Sequence, residues 1–248
     1  PDVRLYPATT NIFEDSKGRL WFTFPSSRLQ VFSDGKLETS ESSLWRTRII
    51  ETSDGRIWTV GYGEPDIYDG NNGKEWVVVL GYGDPAPIDS WTYAVHEDDD
   101  GSILIGGEEG LWRFRNNQWS EFKNLESRRV RGGYDFIRAP DGTLWAAAKT
   151  GIHKLNAEDQ WEQVRDGEMI QFHLTANNQL FAVEKDKGLL INQGQQWIEH
   201  PSYGSGRFYP DWYGHGFVEY PTGVFWLATN KGLRRIQGDS WYDLTLAD

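Results

Sequence analysis

Apolar residues along this chain fall in short runs, each following a polar turn, and the pattern recurs six times. The copies are DSKGRLW (15–21), TSDGRIW (52–58), DDDGSIL (98–104), APDGTLW (139–145), TANNQLF (175–181) and YPTGVFW (220–226). Their last residues stand roughly 36 to 46 residues apart, the spacing of one four-stranded propeller blade. After each of the last four turns comes a strand begun by glycine: GLWRF (110–114), GIHKL (151–155), GLLIN (188–192) and GLRRI (232–236). The first two copies carry degenerate forms of it, RLQVF (28–32) and PDIYD (65–69). A polar turn and a Trp-bearing strand then close the unit, in KEWVV (74–78), NQWSE (117–121), DQWEQ (159–163), QQWIE (195–199) and DSWYD (239–243). In the first copy Leu37 replaces this tryptophan.

Each unit reads strand, Asp-Gly-type turn, strand, loop, Gly-started strand, polar turn, Trp-bearing strand, with no helical period anywhere. One four-stranded sheet cannot bury both of its faces, whereas six arranged radially bury them against their neighbours. The prediction is an all-β, six-bladed β-propeller of four-stranded antiparallel blades. It is read as a single domain over 1–248, with blades at approximately 8–40, 45–80, 91–123, 132–165, 168–200 and 213–246. The turn glycines at 18, 55, 101, 142 and 223 supply the positive φ of a tight hairpin, and Asn178 takes that place in the fifth copy.

Composition changes the picture in three ways. Aromatic residues make up 15% of the chain, with 13 Trp, and the repeated tryptophans account for most of this excess as filling between sheets. The net charge of −12 argues against non-specific nucleic-acid binding, which needs a Lys/Arg surplus. The absence of cysteine excludes disulfides, thiolate metal sites and Cys nucleophiles. No run is long and apolar enough to insert into a membrane. The opening PDVRLYPATT has neither the basic nor the apolar region of a signal peptide, so such a peptide is expected to be absent or already removed.

At these repeats the sequence resembles the two-component regulator propeller repeat, whose pattern is roughly E-D-x-x-G-x-L-W-I-G-T-x-x-G-L-x-R. Glu97 to Phe114 (EDDDGSILIGGEEGLWRF), Asp141 to Leu155 (DGTLWAAAKTGIHKL) and Thr222 to Ile236 (TGVFWLATNKGLRRI) carry the likeness best. The resemblance implies an extracytoplasmic, periplasmic or secreted, ligand-sensing domain of a larger membrane sensor that responds to oligosaccharides, with no cofactor. Such sensors usually carry more repeats and further domains, so the chain is expected to be an excised domain or a free-standing relative.

Propellers gather the loops leading into the innermost strand, and those joining second strand to third, on one face. Ten residues before the turn position the copies read Ala8, Trp45, Trp91, Gly132, Glu168 and Tyr213. Trp45, Trp91 and Tyr213 are aromatics that the repeat does not demand, and Tyr62 in the second-to-third-strand loop of blade 2 should join them. The long loops 77–91 and 201–216 point to the same face and add Tyr82, Trp212 and His215. Aromatic platforms beside polar groups suit sugar rings; the alternative is that these rings cap the core beneath their own loops. Seven residues before the turn stand Asn11, Arg48, Ala94, Asp135, Gln171 and Gly216, a polar set read as ligand contacts or as a solvated channel wall. Four before it stand Glu14, Glu51, Glu97 and Glu219, with Arg138 and Leu174, a set that holds a cation or bonds to backbone groups. Arg128, Arg129 and Arg131 either grip an anionic group or lie in a solvated loop.

No nucleophile elbow, phosphate-cradling loop or H-E-x-x-H spacing appears. The sialidase Asp-box S-x-D-x-G-x-T-W also fails, because Asp141 abuts Gly142 directly. The order of readings is a non-catalytic propeller binding a small ligand such as a carbohydrate, then a protein-interaction scaffold, then a metal-assisted hydrolase or lyase.

Overall fold

The computed structural model describes residues 11–23, 29–39, 46–69, 88, 90–108, 110–121, 135–158, 160–185, 187–194, 196–200, 217–229, 232–238 and 240–244. Every regular element among them is a β-strand. The chain divides into two compact units, Pro1–Arg129 and Val130–Asp248.

In the first unit, blade 1 is built from β1 (Asn11–Glu14), β2 (Leu20–Thr23), β3 (Gln30–Ser33) and β4 (Lys36–Thr39). Blade 2 shows β5 (Arg46–Glu51), β6 (Arg56–Gly61) and β7 (Asp66–Asp69); its KEWVV segment lies outside the described residues. Blade 3 is β8 (Thr92–Glu97), β9 (Ile103–Gly107), β10 (Gly110–Arg115) and β11 (Gln118–Glu121). The second unit holds blade 4, with β12 (Asp135–Arg138), β13 (Leu144–Ala148), β14 (Gly151–Leu155) and β15 (Trp161–Asp166). Blade 5 follows with β16 (Met169–Leu174), β17 (Leu180–Glu184), β18 (Gly188–Gln193) and β19 (Gln196–Glu199). Blade 6 comprises β20 (Phe217–Glu219), β21 (Val224–Thr229), β22 (Gly232–Gln237) and β23 (Ser240–Leu244). Within every blade the strands pair antiparallel in chain order, and the chain is an all-β, six-bladed β-propeller with three blades to each unit.

The repeated turn makes the first hairpin of each blade. In blade 2 the Gly55 amide donates to the Thr52 carbonyl at 2.7 Å, the Thr52 amide donates to Arg56 at 2.8 Å, and Gly55 sits at φ +82°. That is a type I turn followed by a left-handed residue, which returns the chain in register. Asn178 takes the same conformation at φ +63° and makes the same bond to Thr175. The glycine that starts the third strand has its own reason. Gly151 sits at φ +147°, and a Cβ there would stand 1.8 Å from the Arg165 carbonyl oxygen, so the outer strand can approach only glycine.

Each seam between neighbouring blades of a unit has its own core. Trp21, Val31, Ile49, Ile57 and Tyr68 fill the first seam, and Trp58, Ile67, Val95, Ile105 and Phe114 the second. In the other unit, Trp145, Phe172, Leu190 and Trp197 join blades 4 and 5, while Phe181, Leu189, Phe217, Leu227 and Ile236 join blades 5 and 6. The second-strand tryptophans Trp21, Trp58 and Trp145 are buried, as expected of filling between sheets. A ring of this kind is worth about 3–5 kcal/mol against alanine. Trp241 departs from that role: it is 41% exposed, with the Arg234 guanidinium 4.0 Å above its ring.

Candidate ligand site

Antiparallel pairing brings the start of a blade's first strand and the end of its second to one end of the sheet. Between blades 2 and 3 this end is stitched across the seam. Tyr62, just past β6, and Trp91, just before β8, form an antiparallel bridge, and the Gly63 amide donates to the Ser90 carbonyl at 3.0 Å. Buried Thr92 completes the stitch, its hydroxyl accepting from the Gly61 amide and donating to the Gly61 carbonyl, both at 2.8 Å. A Cβ on Gly107 would stand 2.4 Å from the Trp91 carbonyl oxygen, so only glycine lets β9 come so close.

This stitching gathers three rings. Tyr62 and Trp91 meet edge-to-face, with centroids 5.5 Å apart and planes at 70°. Trp91 and Tyr93 lie nearly parallel, at 6.4 Å and 8°. The Tyr93 hydroxyl donates to the Glu108 carboxylate at 3.1 Å, and the Glu108 amide donates to the Trp91 carbonyl at 2.8 Å. Tyr62 is 45% exposed, and Trp91, Tyr93 and Glu108 are half-buried.

Tyr93 and Glu108 were not picked out by the sequence. The register of β8 shifts between Thr92 and Ala94, so Tyr93 is the extra residue of a β-bulge. The bulge breaks strict alternation and re-aims the Tyr93 ring toward Trp91. β5 and β16 carry register shifts at the matching place, between Arg46 and Arg48 and between Met169 and Gln171. The only signal available was that Tyr93 stands eight residues before Gly101, as Ile170 stands before Asn178.

Blade 5 shows what the fold itself requires here. Glu168 and Lys185 occupy the places of Trp91 and Glu108, counted from the turn, and the Lys185 amide donates to the Glu168 carbonyl at 2.8 Å, as in blade 3. The side chains differ: Lys185 Nζ pairs with Glu168 Oε1 at 2.9 Å. The same backbone corner thus carries an ion pair in blade 5 and rings in blade 3.

Two members of the polar set seven residues before the turn, Asp135 and Gln171, have backbone partners. Asp135 accepts from its own Phe136 amide at 3.1 Å and from the Phe172 amide of blade 5 at 2.8 Å. Gln171 Nε2 donates to the Phe217 carbonyl of blade 6 at 3.2 Å. These side chains tie one inner strand to the next. Arg48 lies on β5 opposite Val60, two residues before Tyr62. Trp45, Tyr82, Arg128, Arg129, Arg131, Trp212, Tyr213 and His215 lie outside the described residues.

Three of the glutamates four before the turn, Glu51, Glu97 and Glu219, bond to backbone, the second of the two readings above. Glu51 of blade 2 accepts from the Ser16 amide and hydroxyl of blade 1, both at 2.6 Å. Glu97 of blade 3 does the same to Ser53 of blade 2, at 2.7 and 2.6 Å. Glu219 of blade 6 takes the Ala176 amide of blade 5 at 3.2 Å and its own Gly223 amide at 2.6 Å. The Gly223 amide foremost, then Ala176 and His173, hold its pKa below the ordinary glutamate value against a smaller upward push from burial. Where blade 4 presents Pro140, which has no N–H to give, blade 5 carries Leu174 instead, packed against the neighbouring core. Among the described residues no group of three or more His, Asp and Glu is placed to hold a metal ion.

These features define a propeller with an aromatic cluster at one blade seam. No family model and no curated protein matches the sequence. In fold the chain is similar to the extracellular domain of BT3049 from B. thetaiotaomicron, described as a hybrid two component system. The TM-score is 0.62 at 14% identity, over 95% of this chain and 40% of that one. The extracellular domain of BT4673 from the same organism gives 0.68 at 16%, over 97% and 36%. A catalytically inactive virginiamycin B lyase from Staphylococcus aureus, solved with quinupristin, gives 0.70 at 15%, over 96% and 84%. The chain thus spans well under half the length of the two B. thetaiotaomicron domains. What the chain shares with all three is the fold.

Proposed function

We propose that this chain is a non-catalytic, ligand-binding propeller of the two-component regulator type, and that a small molecule such as an oligosaccharide binds at Tyr62, Trp91 and Tyr93. One observation carries the reading: blade 5 builds the same backbone corner with an ion pair, so the rings of blade 3 answer to something other than folding. The exposed part of Tyr62 and the half-buried Trp91 and Tyr93 offer aromatic surface, and the Glu108 carboxylate offers an acceptor. The similarity to the extracellular domains of BT3049 and BT4673 supports an extracytoplasmic place and partnership with further domains of a membrane sensor.

Calorimetric titration with a panel of oligosaccharides, repeated on Trp91→Ala, tests this. The expected result is binding without consumption of the ligand, weakened at least tenfold in the variant while the melting temperature moves by no more than about 3 °C. Turnover of the glycan would replace the sensor with an enzyme. Binding that survives loss of Trp91 unchanged would remove the site.

A further inference from the structure

We infer that β23, the outer strand of blade 6, is an association edge, and that it pairs antiparallel with β23 of a second copy of this chain.

An outer strand leaves one side of its backbone without a ladder neighbour, and an exposed charge on such a strand deters pairing with another chain. The other outer strands carry that protection: β4 exposes Lys36 and Glu38, β11 Glu121, β15 Glu162 and Asp166, and β19 Glu199. β23 exposes no charged side chain. It shows Trp241, Tyr242 and Leu244, which are 41%, 47% and 46% exposed. Among the described strands its one neighbour is β22.

The single acid of β23 is already neutralised. Buried Arg234 donates to Asp243 Oδ1 at 2.6 Å through Nε and to Oδ2 at 2.9 Å through its terminal amine, a two-pronged ion pair. The same guanidinium lies 4.0 Å from the Trp241 ring. The matching tryptophans Trp161 and Trp197 are buried, whereas Trp241 stands at the surface of its strand.

The exposed side chains lie on both faces of the sheet. Trp241 stands opposite Ile236, on the face that packs toward blade 5, while Tyr242 and Leu244 stand opposite Arg235 and Leu233 on the other. A flat surface would cover one face; a strand laid alongside the edge reaches both.

Self-complementarity selects a second copy as that strand. Pairing about a two-fold axis at Tyr242 sets Tyr242 beside the partner's Tyr242, Ser240 beside the partner's Leu244, and Trp241 beside the partner's Asp243. Aromatic rings then meet at the axis, and no charge stands opposite its like. Two copies with a net charge of −12 repel elsewhere, so they meet most readily where an edge exposes no charge.

Sedimentation equilibrium on the whole chain tests this. The expected result is a dimer at about 100 μM that dissociates toward monomer at about 1 μM, as suits a small interface. Amide exchange over 240–244 should be slower at the higher concentration. Tyr242→Glu places like charges opposite each other at the axis, while Arg235 across the ladder gives the new carboxylate a partner within the blade. It should weaken association at least tenfold and move the melting temperature by no more than about 3 °C. Ile198→Lys, on the outer strand of blade 5, should leave association unchanged. A chain that stays monomeric at about 100 μM overturns the inference and leaves this edge to a partner of another kind. Dimerisation that survives Tyr242→Glu, or is lost in Ile198→Lys, puts the interface elsewhere and overturns it as well.

Discussion

At Asp15 a single carboxylate organises the first turn. Its Oδ1 accepts from the amides of Lys17 at 3.0 Å and Arg19 at 2.9 Å, and its Oδ2 from the Trp21 indole at 2.8 Å and from the Arg19 guanidinium. Burial pushes its pKa up, but the Trp21 indole, the Arg19 amide and the Arg19 guanidinium together outweigh it and hold the acid below the usual aspartate value. Asp15→Ala leaves the indole and guanidinium of a buried network without their acceptor. It is expected to cost about 2–4 kcal/mol, read from the urea midpoint. At the same scale the sequence already marked Trp91 and Tyr62 by position, because both stand outside the repeating core pattern. It did not mark Tyr93 or Glu108, since one lies on a bulge and the other is identified only by the hydroxyl that reaches it.

Between elements, the glutamate clasps explain how successive blades are registered. Glu51, Glu97 and Glu219 each reach back to the hairpin of the blade before, so the turn that closes one blade is also the anchor for the next. Glu51 and Glu97 act on different seams and share no partner. Replacing either by alanine should cost about 1 kcal/mol, since the clasps are exposed. The double variant should cost the sum within about 0.5 kcal/mol, as measured by denaturation. A double variant no worse than the singles would show that the clasps act as one cooperative unit. The acidic column was legible in the sequence, and so was backbone bonding as one of its two roles; which backbone groups it takes was not. Carboxylates on a repeat suit a cation as well as a set of amides until the neighbouring hairpin is seen to fill Glu51, Glu97 and Glu219.

The whole molecule should weaken in acid in two stages. Burial keeps the His153 imidazole, which lies 3.0 Å from the Thr150 hydroxyl, below the ordinary histidine value and therefore neutral. Its contribution is fully present above the unfolded value of about 6.5 and is lost as pH falls toward the folded one. Asp15 and Glu219 are depressed carboxylates, so their contributions stand above about pH 4 and disappear as pH falls through their lowered folded values. Urea midpoints across pH 3 to 8 should decline first below about pH 6.5 and again below about pH 4. His153→Gln should remove the first decline and leave the second.

The sequence by itself determined the blade. Turn, glycine and tryptophan recur at fixed offsets because each answers a local demand: a positive φ, a close strand approach, a face to fill. Local demands repeat with the chain, which is why six copies could be counted and aligned, and why Asn178 could be placed in a glycine's position. What joins one blade to the next was decided only in the tertiary structure. The Asp135 and Gln171 ties, the glutamate clasps and the Tyr62–Trp91 bridge link residues 29 to 46 positions apart. No rule of spacing connects such partners, since their meeting depends on how two sheets pack and on where a bulge turns a side chain. The aromatic corner belongs to that second kind of information.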